Sequence, residues 1–472
     1  MLESLMVVLK LYDSLSRSVQ VFAPLGSGPV GIYSCGPTVY ARQHLGNMRP
    51  YVFADLLRRT LISAGHAVKH VINITDVGHL TSDADEGADK VELAAARAQT
   101  SALSITEHFT AIFQADLRRL GVLPPHVWAK ASTHIPDQIA MIGALEARGF
   151  TYRAADGLYF DVSRAPSYGE LSGLRASAQH SRVTGAHSHK RNAADFALWK
   201  FSPSEGPKRQ LEWDSPWGVG FPGWHIECSA MASRYLGDQF EIHTGGIDHV
   251  AVHHTNEIAQ AEHALGVRPW VKYWMHGAWL TMEGAKIAKS TGLAPNLDDL
   301  AAIDVSPTAF RYYLMTAHYR SPLDLSLEAL RAAETGLDRL SQFVARHGSE
   351  SAPVTTESSA ASETWRRQFY DALSDDLDAP RAVASLWCVV ADASLPPGTR
   401  ARLLVELGEV LGLGFQTAAV TASPEVSSLL ERREQARTAR DFSQADALRI
   451  QLRRLGFRIE DSPQGPLLRR AH

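Results

Sequence analysis

Short apolar runs closed by glycine or proline alternate with stretches of helical spacing through the first part of the chain. Val30–Cys35 is such a run, ended by Gly36 and Pro37, and Tyr51–Ala64 carries apolar residues at helical intervals, so the pattern predicts strand, loop, helix. Val68–Ile74 predicts a second buried strand, and Gln239–His243 and Trp274–Thr281 two more, set between helical segments. Strands that alternate with helices build a parallel sheet covered on both faces, and the fold class is therefore α/β, a doubly wound, Rossmann-like domain over residues 1–305. Within it, residues 150–213 lose the helical period and break into short strand-like pieces such as Gly157–Val162, which marks an insertion. From Ser306 the pattern is helical: a region over 306–347, a Ser/Thr/Ala/Pro-rich linker over 348–363, and all-α C-terminal domains over 364–472 ending in a short tail. No internal repeat is found.

Composition narrows the class without naming a function. A chain of 472 residues is too long for one ordinary core, and 45% hydrophobic with 21% charged residues is the balance of a globular protein. No apolar run reaches the roughly 18 residues of a membrane span, and Met1–Lys10 lacks the basic and small-residue features of a signal peptide, so the expectation is a cytoplasmic protein with no membrane partner. Cys35, Cys228 and Cys388 are three, far apart, which speaks against a disulfide framework; Cys388, in an apolar stretch beside Trp387, reads as core. Against 47 basic residues stand 51 acidic ones, a net charge of −4, so any nucleic-acid surface must be local.

Three groups of residues suggest chemistry. His44-Leu45-Gly46-Asn47 stands just before a helix with Pro50 in its first turn, where N–H groups and the helix dipole favour phosphate; Gly46 allows close approach, and His44 and Asn47 can donate hydrogen bonds. Lys286-Ile287-Ala288-Lys289-Ser290 follows a strand-like run and offers two lysines and a hydroxyl, suited to charge developing on a triphosphate. Finally, Cys228 and the pair His253 and Glu257, which share one helix face at i, i+4, form with Cys35 a possible metal set. Spacing alone leaves the last group open between a metal site and buried structural thiols beside a satisfied His–Glu hydrogen bond.

Taken in order along the chain, these blocks resemble one family. Tyr33-Ser34-Cys35-Gly36-Pro37-Thr38-Val39-Tyr40, the HLGN and KIAKS variants of the class I HIGH and KMSKS signatures, Asn73-Ile74-Thr75-Asp76, Gly223–Met231 and His253–Gln260 are similar to the blocks of cysteinyl-tRNA synthetases. The resemblance extends from about Leu9 to Arg470 and includes the C-terminal block Ala439–Ala447 and the tail Glu460–Gly465.

That resemblance implies an enzyme that activates L-cysteine with ATP and transfers it to the terminal adenosine of tRNA(Cys), acting as a monomer. It implies Zn²⁺ on Cys35, Cys228, His253 and Glu257, with the substrate thiolate as a further ligand, and Mg²⁺ arriving with ATP. The implied catalytic residues are His44, Asn47, Lys286 and Lys289; Gly46, Asp248 and Ser290 join them in holding ATP; Gly36, Thr38, Thr75, Trp224 and His243 line the cysteine pocket. Departures lie at Asn47, where the signature has His, and at Ile287-Ala288, where it has Met-Ser; Ala288 removes a hydroxyl. Arg432, Arg433, Arg437, Arg440, Arg449, Arg453, Arg454, Arg469 and Arg470 are the implied tRNA contacts, although interleaved Glu431, Glu434, Asp441 and Asp446 also suit a salt-bridged surface. Two other readings share the pattern: a cysteine ligase with a sugar-amine acceptor of the mycothiol-pathway type, and a synthetase-derived binding protein that has lost activity. The segments Thr81–Asp89 and Ala178–Arg191, the latter with His187 and His189, read as solvated loops.

Overall fold

The computed structural model describes residues 8–77, 80, 87, 89–173, 189–203, 208–287, 294–350, 356–416, 424–455, 457–462 and 465–470. Five parallel strands make the central sheet, in the order Val271–Gly277, Phe240–Gly246, Val30–Ser34, Val68–Ile74, Val127–Lys130. Alternation along each strand divides the core in two. Ile32, Ile72 and Ile242 face the helix Leu45–Ser63, whereas Tyr33, Val71 and Phe240 face the layer that carries Cys228, Met231 and Ala232. Because Phe240–Gly246 and Val68–Ile74 flank Val30–Ser34 on opposite sides, the strand order reverses at Val30–Ser34. Open α/β sheets bind ligands in the crevice beyond the carboxyl ends of the strands at such a reversal.

The insertion is an antiparallel sheet of Thr151–Arg153, Gly157–Phe160, Phe196–Phe201 and Gly220–Pro222 with its own aromatic core, in which Phe160 stacks on Phe196 with ring centroids 5.0 Å apart. Its fourth strand lies past the expected end at Trp213.

Several elements differ from the sequence expectation. The helix after the HLGN motif begins at Leu45, so the motif forms its first turn and Pro50 lies inside the helix. A proline there leaves the carbonyl of Gly46 without its intrahelical N–H, a break that sits at the mouth of the cleft described below. Trp274–Thr281 is two strands: after Gly277 the chain leaves the main sheet, the amide of Ala278 donates to Tyr319 O at 2.8 Å, and Leu280–Met282 joins a small sheet between Ala285–Lys286 and Leu323–Asp324. Inside the expected linker stretch a helix, Thr356–Ser374, has already started, because Ser358 and Ser362 are small enough to pack against the bundle. Cys388 is exposed, since it falls on the outer face of the helix Ala379–Ala391, whose inner face is Ala382, Leu386 and Val389. The final tail is a hairpin, Phe457–Ser462 with Gly465–Arg470, and it closes a small core of Val426, Leu429, Leu448, Leu452 and Ile459 with the helices Pro424–Thr438 and Phe442–Arg454.

Between the sheet and this end, the helices Leu327–His347, Thr356–Ser374, Ala379–Ala391 and Pro397–Val410 share one core with the face of Leu45–Ser63. Arg311 ties the two parts. It is fully buried and donates to Asp55 Oδ2 at 2.5 Å, Leu411 O at 2.7 Å and Leu120 O at 3.1 Å. Among the described residues, no helix is long and apolar enough to cross a membrane.

Candidate active site and metal centre

The sheet delivers its functional residues at the strand ends. Cys35 follows Val30–Ser34, and its amide donates to Thr244 O at 3.2 Å on one neighbouring strand. On the other side, the amide of Gly36 donates to Asn73 Oδ1 at 2.6 Å, and a Cβ at Gly36 would run into the Asn73 carbonyl, so only glycine permits this approach. Thr38 and Thr75 bridge just beyond. Cys228 projects from the helix Trp224–Leu236, while His253 and Glu257 lie in the first turns of the helix His253–Leu265.

These elements converge on one cluster: ligand atoms of Cys35, Cys228, His253 and Glu257 all lie within 4.8 Å of one another, and all four residues are buried. Glu257 is fully buried and keeps its charge through two imidazoles, His253 Nε2 at 3.0 Å and His243 Nε2 at 2.9 Å. Burial opposes ionisation, but His243 and His253 outweigh it and hold the Glu257 carboxyl far below the usual range. Burial likewise works against a charged His253, yet Glu257 and the thiol of Cys228 raise it to about 10. Cys228 is drawn down to about 6 against its burial, by a hydrogen bond from Cys35 and by His253, whereas burial and Cys228 push Cys35 up. A thiolate, a carboxylate and a second thiol around one imidazole are donors able to hold a metal ion, and a dication would replace the protons that now hold these groups together.

Histidines surround the cluster. His225 and His253 share a hydrogen bond between their Nδ1 atoms at 2.9 Å, and a chain runs from Cys35 Sγ to His254 Nε2 (3.2 Å), from His254 to His276 (2.8 Å) and on to Ser14 Oγ (2.7 Å). Cys35, His243, His254 and Glu257 form a second group of equal compactness. Such outer partners fix the tautomers and orientations of metal ligands.

Above the cluster opens a cleft of about 630 Å³ at the strand reversal. Its walls include Cys35, Cys228 and His253, the expected pocket residues Gly36, Thr38, Thr75 and Trp224, and the expected nucleotide residues His44, Gly46, Asn47, Asp248 and Lys286. Trp224 stacks on His253 with centroids 4.4 Å apart. Lys286 Nζ lies 3.4 Å from Asp248 Oδ2 and 5.0 Å over the ring of Trp279, whose Nε1 donates to Asp248 Oδ1 at 3.3 Å. Ile287 is buried and packs into the core, which accounts for an aliphatic residue there.

Two expected site residues, the pocket residue His243 and the metal ligand Glu257, stand behind the cleft wall. His243 is fully buried behind the cluster, where it holds Glu257 and stacks on Trp274, and it does not line the cleft; Glu257 also lies behind it. Lys289 and Ser290, with Ala288, lie outside the described residues, as do His187 and most of 81–88. Asp89, expected in a solvated loop, is buried: it caps the helix Lys90–Ala98 and pairs with Arg209. Arg433 is buried beside Glu434 Oε1 at 2.6 Å and so turns away from any phosphate, while Arg432, Arg440 and Arg449 are exposed. His254, Trp279 and Lys90 were missed. Doubled histidine at 253–254 was the one available signal for the first; Trp279 was hidden in what read as a continuous strand, and Lys90 in an acidic run.

Two family models match the chain: the class I (C) catalytic domain of tRNA synthetases over residues 21–335, and the cysteinyl-tRNA ligase anticodon binding domain over residues 421–466. Cysteine--tRNA ligase 1 of Burkholderia lata is 47% identical over 464 residues, covering 98% of this chain and 96% of that protein. The cysteine--tRNA ligase of Thermus thermophilus is 41% identical, with 97% and 98% covered. Among solved structures, methionyl-tRNA synthetase of Mycobacterium tuberculosis in complex with methionyl-adenylate superposes with a TM-score of 0.57 at 14% identity, covering 82% of this chain and 90% of that one. The Agrobacterium radiobacter K84 agnB2 LeuRS complex with tRNA and LeuAMS gives 0.59 at 13%, with 84% of each covered; both likenesses speak to the fold alone.

Proposed function

We infer the reaction of this chain from the family to which it belongs, the cysteine--tRNA ligases of the class I synthetases. It activates L-cysteine with ATP and passes it to tRNA(Cys). The observation that carries the reading is a cluster of two sulfurs, one imidazole and one carboxylate whose sulfurs and imidazole line the same cleft as His44, Asn47 and Lys286, with Glu257 directly behind them. The C-terminal match at 421–466 favours tRNA over a sugar amine as acceptor.

Cys35, Cys228, His253 and Glu257 would hold Zn²⁺. When bound, zinc supplies a thiophilic position that separates the substrate's sulfur from the hydroxyl of serine, a distinction that size alone makes poorly. Gly36, Thr38, Thr75 and Trp224 wall the cysteine side, and His243 acts by fixing the Glu257 carboxylate. On the nucleotide side Gly46 and Asp248 receive the adenosine, and His44, Asn47 and Lys286, together with Lys289 and Ser290, meet the triphosphate, whose Mg²⁺ arrives with it. The carboxylate of cysteine attacks the α-phosphate and pyrophosphate leaves; a ribose hydroxyl of the terminal adenosine then attacks the mixed anhydride and AMP leaves. Neither step requires a side-chain nucleophile, so these residues act by position and charge. A monomeric, cytoplasmic enzyme over the domain division 1–305, 306–347, 348–363 and 364–472 completes the reading.

Cysteine-dependent ATP–pyrophosphate exchange by the zinc-replete protein is the test. Exchange with cysteine and at least about 100-fold less with serine is expected; no exchange with cysteine from folded, metal-bearing protein overturns the reading.

A further inference from the structure

Glu283 and Gly284 both take positive φ, 52° and 75°, and so form a two-residue hairpin turn between the strands Leu280–Met282 and Ala285–Lys286. Asp324 pins that turn: its Oδ1 accepts from the amide of Gly284 at 2.9 Å and from Thr281 Oγ1 at 2.7 Å. The resulting register sets Lys286 opposite Thr281. Side chains alternate in direction along an extended chain, which puts Trp279 on the face of Thr281 and makes it the diagonal neighbour of Lys286. The two long side chains meet, with Lys286 Nζ 5.0 Å over the indole ring.

The backbone of Trp279 is fixed from the HLGN helix. Arg49, buried in the helix Leu45–Ser63, donates from Nη1 to Trp279 O at 2.6 Å and to Ala278 O at 3.1 Å, and from Nη2 to Ser321 O at 2.6 Å. The amide of Leu323 donates to Trp279 O as well, at 3.2 Å. In contrast to this clamped backbone, the indole is 43% exposed and lines the cleft. A ring left open in a cleft adds little to the core and is placed to touch what stands there. On its edge, Nε1 donates to Asp248 Oδ1 at 3.3 Å, and the other carboxylate oxygen lies 3.4 Å from Lys286 Nζ. A Cβ at Gly246 would lie 2.6 Å from Asp248 Oδ1, so the glycine makes room for the carboxylate.

We propose that Trp279 is a positioning residue of the adenylation step, its ring face holding the Lys286 ammonium and its N–H holding the Asp248 carboxylate on the nucleotide side of the cleft. This rests on the reading of the chain as a cysteine--tRNA ligase. Lysine carries its charge on a flexible four-carbon stem, and the negative face of an indole attracts that charge without neutralising it. A lysine gathered beforehand at the cleft loses less freedom when a triphosphate arrives. Because Arg49 fastens the same tryptophan to the helix that begins with the HLGN motif, Trp279 also joins the two nucleotide motifs mechanically.

Full-length, zinc-loaded Trp279→Leu and Trp279→Phe proteins test this, each alone and combined with Lys286→Gln. At saturating ATP and cysteine, single-turnover adenylate formation should slow by about threefold to tenfold in Trp279→Leu, the weight of one cation–π contact. Trp279→Phe keeps the ring face and should hold at least about half the rate. Both lack the N–H to Asp248 and should raise KM for ATP by about threefold or more, with KM for cysteine within about twofold of the unaltered chain. In the Lys286→Gln background, Trp279→Leu should slow the step by less than about twofold more, because the group it holds is gone. Equal losses in the leucine and phenylalanine proteins would make the residue mere bulk, an undiminished loss in the Lys286→Gln background would mean that it acts through something else, and a KM for cysteine that rises in step would mean a distorted cleft; each overturns the proposal. Failure of the unaltered chain to form adenylate at all would instead sink the reading of its function.

Discussion

Glu257 shows what a single buried charge asks of its surroundings. Two imidazoles face its two oxygens, and a carboxylate left in that position without them would sit uncompensated in a fully desolvated site. Replacing it by glutamine keeps the shape and removes the charge that both holds His253 protonated and would bind a dication. Glu257→Gln is expected to purify with far less than one zinc per chain, checked by elemental analysis, and with a KM for cysteine raised at least about tenfold. The cluster was legible as residue types but not as a site, because Cys35 lies far in sequence from its partners and only the sheet brings them together. His243 illustrates the converse: a resemblance assigned it to the substrate, while geometry gives it to the carboxylate.

His70 is a second buried titratable group, away from the cluster. Burial first, and then the charge of Arg58, lower it to about 3, and its Nε2 shares a 2.8 Å hydrogen bond with Ser34 Oγ. The folded value lies below the unfolded one, so the full contribution to stability is present above pH of about 6.5. As pH falls below that, the unfolded chain takes up a proton that the folded chain refuses, and stability drops by up to about 1.4 kcal/mol per pH unit until about pH 3. Urea unfolding at pH 7, 6 and 5 should show this decline, and His70→Asn should make it shallower.

At the level of elements, strand Val68–Ile74 is legible to the residue because Val68, Val71, Ile72 and Ile74 make a short β-branched run that follows the turn at Ala64–Gly65. Errors occurred where one element gives way to another without a glycine–proline break: Gly277 to Ala278, where a strand changes sheets, and Leu45, where a helix starts upstream of its proline. The terminal hairpin shows in the sequence only as a short alternation over Phe457–Glu460, a weaker signal than the helical spacing that precedes it. Gly36 joins the element scale to the site, since the two strand ends can lie so close only without a side chain there. Gly36→Ala should push residue 36 away from Asn73 and cost about 1–3 kcal/mol, measurable as a lowered unfolding midpoint together with lost exchange activity.

Across the whole molecule, the sheet and the helices between Pro307 and Val410 share a common core, with Arg311 as its polar tie. Removing that guanidinium would leave the fully buried Asp55 with Arg59 at 2.8 Å as its one paired cation among the described residues, besides the amide of Leu123 at 2.8 Å. Arg311→Met is expected to destabilise the chain by about 3 kcal/mol, and Arg311→Met with Asp55→Asn by less, as denaturant titration would show. No sequence pattern pointed to this tie, because an arginine in an amphipathic stretch reads as surface until its acceptors are seen.

The three cysteine thiols are divided between two environments. Cys35 and Cys228 are enclosed, while Cys388 faces outward on a bundle helix. Cys388 is thus the one cysteine exposed outside the cleft, so with a metal ion held on Cys35 and Cys228 a single fluorophore or spin label can be directed to it by ordinary maleimide chemistry. A reporter placed there rides on the bundle and leaves the cleft chemically untouched.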